Sequence, residues 1–315
     1  MKKIKVLSFI AAAIIIISSI IFIKYQMNNN TKVVNNNTEV EKADLAFGIL
    51  GDIHGNSGKF NTALNDLEKI NGKMDALILN GDSVDQGLVS QYTEIKAVMG
   101  KKKEQLPETI IANIGNHDYY NYEGDSYSPG AIENFKNLYY DFSGEKSVYH
   151  DKWVKGYHFI SLGSESLNPS GNGILNADLS AAQLSWLKYK LAENHLPGRP
   201  IFVFIHQHLN TSIKGWTGIV QKKELINILS SYPEVVLFSS HTHVLLSVDN
   251  VSTNYPFTYV NTGAVSYAIQ PEGYQIKRLY DESQGLYVEV NGKKVTIKGR
   301  DFAKKEWIFS KVIMK

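Results

Sequence analysis

Cysteine is absent from this chain of 315 residues. That excludes a disulfide framework, a thiol nucleophile and a lipid-modified cysteine anchor. An excess of one charge is lacking too: 33 Lys and Arg offset 31 Asp and Glu, for a formal net charge of +2. No long Lys/Arg stripe runs through the chain, and Lys101-Lys102-Lys103 reads as a solvated loop or helix end. Bulk electrostatic association with DNA or RNA is therefore not expected, and no specific nucleic acid is assigned as a partner. Internal repeats are also missing. A chain without disulfides relies on its core, and 43% hydrophobic residues over this length suit one large packed domain.

The N-terminus carries a targeting pattern. Lys2, Lys3 and Lys5 precede an apolar run from Val6 to Ile23, and Lys24, Tyr25 and Gln26 follow it directly. The run is long for a cleaved signal, about the minimum for a spanning helix, and no Ala-x-Ala site follows it. Residues 1–26 are read as an uncleaved signal anchor, with a cleaved, secreted form as the alternative. The lysine flank stays cytoplasmic, which places the rest of the chain outside the membrane. Residues 27–43 are polar and Asn-rich and read as a flexible tether. Residues 44–315 are read as one domain.

Within that domain, strand and helix signals alternate. Ala46 to Leu50, Ala76 to Leu79, Thr109 to Ile114, Tyr157 to Leu162, Ile201 to Ile205 and Val235 to Phe238 are short apolar runs of the buried-strand kind. Phe60, Leu64, Leu67 and Ile70 form one helical stripe, and Leu184, Leu187 and Leu191 another. Ser180 with Gln183 reads as a capping box opening the second of these helices. From about Phe257 the chain turns β-rich, with Asn291-Gly292 as a two-residue hairpin turn. An α/β core that ends in antiparallel strands predicts two sheets packed face to face with helices outside.

Five strand ends carry metal-type side chains: Gly51-Asp52-Ile53-His54, Gly81-Asp82, Gly115-Asn116-His117-Asp118, His206 and His241-Thr242-His243. Ligands collect at the carboxyl ends of strands in open α/β sheets, so these segments are expected to share one cleft. Singly, each has an ordinary explanation, since Gly-Asp is a common turn and a lone His is usually surface or core. His208 competes with His206 as a ligand. Asp85 either caps a turn or touches substrate. His150, His158 and His195 read as ordinary surface or strand residues. The aromatic stretch Tyr119 to Tyr140 is either a substrate-side loop or a loop packing its own rings, and Trp216 either flanks the cleft or packs.

Taken together, Gly-Asp-Ile-His, Gly-Asp-Ser-Val-Asp, Gly-Asn-His-Asp, an isolated His after an apolar strand and Ser-His-Thr-His resemble the five motifs of calcineurin-like metallophosphoesterases, over roughly Phe47 to Tyr280. The sequence departs from that pattern at Ser240, where Gly is usual, and at Asp85-Gln86, where many relatives carry Arg. The resemblance implies a four-layer αββα sandwich of two mixed sheets. It implies one metal on Asp52, His54, Asp82 and His243, and a second on Asp82, Asn116, His206 and His241, with Asp82 bridging. It further implies two divalent ions sharing a hydroxide that attacks a phosphoester, with His117 as proton donor. Asp118 is expected to orient His117 and raise its pKa. Carboxylate, imidazole and amide oxygen suit Mn, Fe, Zn or Co. Phosphoester hydrolysis is the expected activity. A nucleotide pyrophosphatase or nucleotidase, or a non-catalytic surface protein retaining the fold, are the alternatives.

Overall fold

The computed structural model describes residues 43–167, 175–211, 213, 216, 218–272 and 275–315. The anchor expected over 1–26 and the tether expected from 27 lie outside the described residues up to residue 42. Among the described residues, no helix is long and apolar enough to cross a membrane. Residues Ala43–Lys315 form one compact unit.

Three apolar runs in the first half become parallel strands β1 (Leu45–Leu50), β2 (Ala76–Asn80) and β3 (Thr109–Asn113). The second half supplies β4 (His150–Val154), β5 (Tyr157–Ser161), β6 (Ile201–Phe204), β7 (Val235–Ser239), β8 (Val251–Ser252) and β9 (Thr258–Asn261). These six form one sheet in the order β4-β5-β6-β7-β9-β8, with β5, β6, β7 and β9 parallel. A small separate hairpin, β10 (Ala268–Glu272) with β11 (Gln275–Leu279), comes next. Then β12 (Gln284–Asn291), β13 (Lys294–Asp301) and β14 (Glu306–Met314) return to the first sheet, giving the order β14-β13-β12-β1-β2-β3. Asn291 pairs with Lys294 across the predicted turn.

The two sheets pack face to face through rings and branched chains. Phe47 of β1 lies 5.0 Å from Phe202 of β6 and 5.1 Å from Phe159 of β5, both edge-on. Leu45, Ile49, Val288 and Ile297 join Phe204 and Phe238 in the same cluster. Helices α1 (Ser57–Ile70), α2 (Val89–Lys101) and α3 (Pro129–Ser143) belong to the first half, and α4 (Ala181–Ala192) and α5 (Lys222–Leu229) to the second. The stripe Phe60, Leu64 and Leu67 packs on the first sheet, and Leu184, Leu187 and Leu191 pack on the second. Helix, sheet, sheet, helix is the four-layer arrangement expected.

Local departures have physical reasons. The stretch Tyr119 to Tyr140, expected as a loop, is helical in its second part, because Pro129 occupies the first turn and Ser128 caps it from Ala131 N–H. Phe135, Tyr139 and Phe142 follow helical spacing and are buried. Ser180 accepts from Gln183 N–H at 3.1 Å as expected. The reciprocal half of the box is missing, since Glu165 takes the Ser180 N–H at 2.7 Å and Gln183 turns to Gly163. Strand β14 was not expected.

One ion pair ties a helix to a sheet. Asp66 of α1 accepts two bonds from Arg300 of β13, at 2.7 and 3.0 Å, and both side chains are largely buried. Removing one partner of such a pair leaves a stranded charge. Asp66→Ala is expected to lower unfolding free energy by about 3 kcal/mol, with catalysis per folded molecule unchanged. A urea midpoint equal to that of the parent chain would refute this.

Candidate metal centre

The carboxyl ends of β1, β2 and β3 meet those of β6 and β7. Asp52 and His54 follow β1, Asp82 follows β2, Asn116 and His117 follow β3, His206 follows β6, and His241 and His243 follow β7. Asp52, His54 and His243 present ligand atoms within 4.8 Å of one another, and so do Asp82, His206 and His241. The structure thus brings both expected carboxylates and all four expected histidines together.

The local backbone is unusual in a way that serves this convergence. Asp52, His54, Asp82, His241 and His243 all have φ between 49° and 69°. A non-glycine residue in that region is strained by about 1–3 kcal/mol, and such strain gathers where a site over-determines it. The glycines preceding the ligands have a packing reason. A Cβ on Gly81 would sit 2.5 Å from the His206 ring, and one on Gly115 would sit 2.1 Å from Asp82 Oδ1. Each glycine leaves the space that another ligand fills. Ser240 plays a part that its small size did not advertise: its buried hydroxyl accepts from Asn80 at 2.8 Å and pairs with Thr262 at 2.7 Å, knitting the two sheets under the site.

Hydrogen bonding settles which imidazole nitrogens face the site. His206 Nδ1 faces the Asn80 carbonyl at 2.9 Å, His243 Nδ1 faces the Tyr267 carbonyl at 3.0 Å, and His54 Nδ1 faces the Asp85 carboxylate at 3.1 Å. Carbonyls and carboxylates only accept, so each Nδ1 carries a hydrogen and Nε2 is the nitrogen turned to the site. Yet His54 Nε2 and His243 Nε2 face each other at 3.0 Å. His206 Nε2 likewise faces Asp82 Oδ2 at 3.0 Å, and His243 Nε2 faces Asp52 Oδ1 at 3.1 Å. Two acceptors at such separations repel unless a proton or a cation lies between them; burial would lower His206, but Asp82 outweighs it and carries it up to about 9. Buried Asp52 Oδ1, Asn116 Oδ1, His206 Nε2 and His241 Nε2 have no hydrogen-bond partner. Asn116 is held by its amide nitrogen, which donates to Tyr120 at 2.9 Å and leaves its oxygen as the ligand atom. The donor set therefore fits two divalent ions, and outer bonds of this kind are how metal-binding imidazoles are aimed.

His117 is placed differently. Its ring lies 4.3 Å from that of His54, and its backbone N–H donates to Asp82 Oδ1 at 2.8 Å. Its Nδ1 lies 2.9 Å from the Asp85 carbonyl and 3.4 Å from the Asp85 carboxylate. The expected partner, Asp118, does not reach it. Asp118 is buried, accepting from Tyr92 at 2.6 Å and from Gly115 N–H at 2.7 Å, so it shapes the loop. Two residues share a chain position but not a direction, and the short turn of residues 117–119 points Asp118 inward. Burial alone would push His117 down; Asp82 and Asp85 reverse this and carry it up to about 9. Burial pushes Asp118 up to about 6, helped by the charge of Asp82. Hydrogen bonds from His117 and His54 hold Asp85 below the usual carboxylate range. Burial would raise Asp82, but His206 and His117 outweigh it and hold it well below that range.

Sequence reasoning missed the role of Asp85, which touches both a candidate ligand and the candidate acid. The signal was its place in Gly-Asp-Ser-Val-Asp, three residues past Asp82. It also missed Tyr267, whose carbonyl aims His243. Tyr122 is exposed, with its hydroxyl 3.4 Å from His117 Nδ1. Trp216 lies 5.3 Å from His241, and His208 stacks on His241 at 5.4 Å with its Nδ1 unpartnered. His206, not His208, is the histidine turned to Asp82.

The fold recurs in solved structures. A dimetal phosphatase from Danio rerio superposes with a TM-score of 0.59 at 12% identity, over 87% of this chain and 99% of that one. A purple acid phosphatase from yellow lupin gives 0.59 at 14%, over 86% and 53%. By sequence, a 3′,5′-cyclic-nucleotide phosphodiesterase from Nostoc sp. is 24% identical over 266 residues, 76% of this chain and 90% of the relative. A probable cyclic nucleotide phosphodiesterase from Rhodococcus erythropolis is 26% identical over 149 residues, 47% of this chain, and the match spans only 44% of that relative. The sequence profile of calcineurin-like phosphoesterases matches residues 45–245, and this chain belongs to that family of phosphoester hydrolases.

Proposed function

We propose that the chain is a dinuclear metallophosphoesterase cleaving phosphodiesters that carry a nucleoside-like leaving group, on the outer side of a membrane. The facing Nε2 atoms of His54 and His243, 3.0 Å apart with both outer nitrogens bonded to acceptors, carry this reading. Asp52, His54, Asp82 and His243 would hold one ion, and Asp82, Asn116, His206 and His241 the other. Bound there, two ions supply Lewis acidity and a water acidified enough to attack phosphorus near neutral pH. Asp82 supplies the shared negative charge, because only a carboxylate readily serves two cations. Asn116 contributes a neutral oxygen and keeps the ligand charge low. His117, kept protonated by its carboxylate neighbours, donates to the leaving oxygen. Asp85 holds the His117 ring in position for that transfer. Exposed Tyr122 beside His117 suits stacking against an aromatic leaving group, and the names of the Nostoc and Rhodococcus relatives support a nucleotide substrate. The lysine-flanked apolar run of residues 6–23 supports the outer location.

Metal removal tests the centre. Chelator-treated protein is expected to lose hydrolysis of bis(p-nitrophenyl) phosphate and to regain it with Mn²⁺, Fe²⁺, Zn²⁺ or Co²⁺, the most activating ion being the one to identify. Resupply of an ion at about 100 times its dissociation constant stabilises the folded state by about 2.7 kcal/mol, or roughly 5–10 °C in Tm for a unit of this size. Metal-independent turnover, or a Tm indifferent to every ion, would contradict the proposal.

A further inference from the structure

The chain has three arginines, and two are committed away from the metal centre. Arg300 is bonded to Asp66, and Arg199 lies over the Tyr157 ring at 5.3 Å. Arg278 is the third. It sits on β11 facing solvent, and no carboxylate among the described residues lies within ion-pair distance of it. Its guanidinium lies over the Tyr267 ring, 5.7 Å from the centroid. That ring in turn lies 4.3 Å from the ring of His243 and 6.0 Å from that of His54. Arg278 is therefore one aromatic ring removed from two candidate metal ligands.

The strand that carries it is joined to the metal centre by backbone. Arg278 pairs in register with Ile269 of β10. Ile269 N–H donates to the His243 carbonyl at 2.6 Å, and Leu245 N–H donates to the Ile269 carbonyl at 3.2 Å. The hairpin is thus an extension of the loop that bears His243. Its base is pinned from the first sheet: Lys59 of α1 donates to Ser266 O at 2.7 Å, to Glu282 O at 2.9 Å and to Tyr280 O. Those carbonyls flank the hairpin on both sides in sequence. Among the described residues, two lysines near the site are occupied. Lys59 is bound to three carbonyls, and Lys222, near His208, donates to Asn210 at 2.7 Å.

We propose that Arg278, backed by Tyr267, is a substrate-binding residue that holds a negatively charged non-bridging phosphoryl oxygen at the outer edge of the metal pair. A guanidinium binds such an oxygen through a fork of N–H donors, which a lysine ammonium lacks. The inference rests on the proposed phosphoester reading, and the test separates the two.

The test compares the full chain with Arg278→Gln, Arg278→Lys and Lys277→Gln, all metal-loaded. Lys277→Gln removes the same charge from the neighbouring position, which faces the other side of the hairpin. Calorimetric binding of inorganic phosphate and kcat/KM on bis(p-nitrophenyl) phosphate are measured alongside metal content and Tm. Arg278→Gln is expected to weaken phosphate binding and kcat/KM by roughly 10- to 100-fold, mainly through KM, with two metals retained and Tm unmoved. Arg278→Lys should fall between, and Lys277→Gln should stay within about twofold of the parent chain. Arg278→Gln within twofold of the parent in both assays overturns the assignment. So does an equal loss in Lys277→Gln, which would reduce the effect to long-range charge. If the parent chain hydrolyses no phosphoester, the functional reading fails, while the phosphate-binding comparison still decides the role of Arg278.

Discussion

Asp82→Asn is expected to lower kcat/KM on a phosphodiester by at least about 10³-fold, since metal ions contribute several kcal/mol to such transition states. It should also reduce bound metal from two ions to one or none. Asp82 is the carboxylate that faces both sets: its Oδ2 lies 3.0 Å from His206 Nε2 and 3.7 Å from His54 Nε2. An amide has no charge to share between two cations. The fold should survive the change. Asn Oδ1 still accepts the His117 backbone N–H now held at 2.8 Å. The Tm of the metal-free variant should fall below that of the metal-free parent, because His206 and His117 lose the buried carboxylate they pair with. Full activity with two metals in the variant would remove Asp82 as the bridge, and with it the dinuclear proposal.

His117→Gln should leave two metals in place and cut the rate by an amount set by the leaving group. General-acid catalysis contributes about 10²–10⁴-fold when the departing oxygen needs a proton. The loss should therefore reach that range for an alkyl ester, such as a nucleoside diester. It should be near tenfold for p-nitrophenyl esters, whose phenolate departs almost unaided. The geometry supports this separation of roles. His117 meets Asp85 and stands beside His54 at the cleft mouth, with 20% of its side chain exposed, whereas the His206 side chain is fully buried. An equal loss across leaving groups, or loss of a metal, would assign His117 to metal binding instead of proton transfer.

The candidate ligands were legible because each lies just past an apolar strand, and Asp52, Asp82 and Asn116 also follow a glycine. Strand periodicity reports burial, and burial at strand ends reports a cleft. Helices α1 and α4 were legible from apolar spacing alone. Helix α3 was not, because the aromatic stretch that holds most of it read as a loop. Asp118 and Asp85 show the limit most directly. Both lie near candidate site residues in the chain, yet only the turn after β3 and the docking of residues 82–86 decide that Asp85 meets His117 while Asp118 meets Tyr92.

By itself, then, the order of residues pointed to two sheets with helices outside, since that depends on periods of two and 3.6 along one segment, and its five motifs carried the resemblance that implied the family and the donor set. Tertiary structure decided what each donor faces. His54 and His243 lie 189 positions apart, and only the packing of one sheet on the other sets their nitrogens 3.0 Å apart. Arg278 is the same case: nothing around it in the chain names a site, and it gains one because β10 hydrogen-bonds to the loop that holds His243.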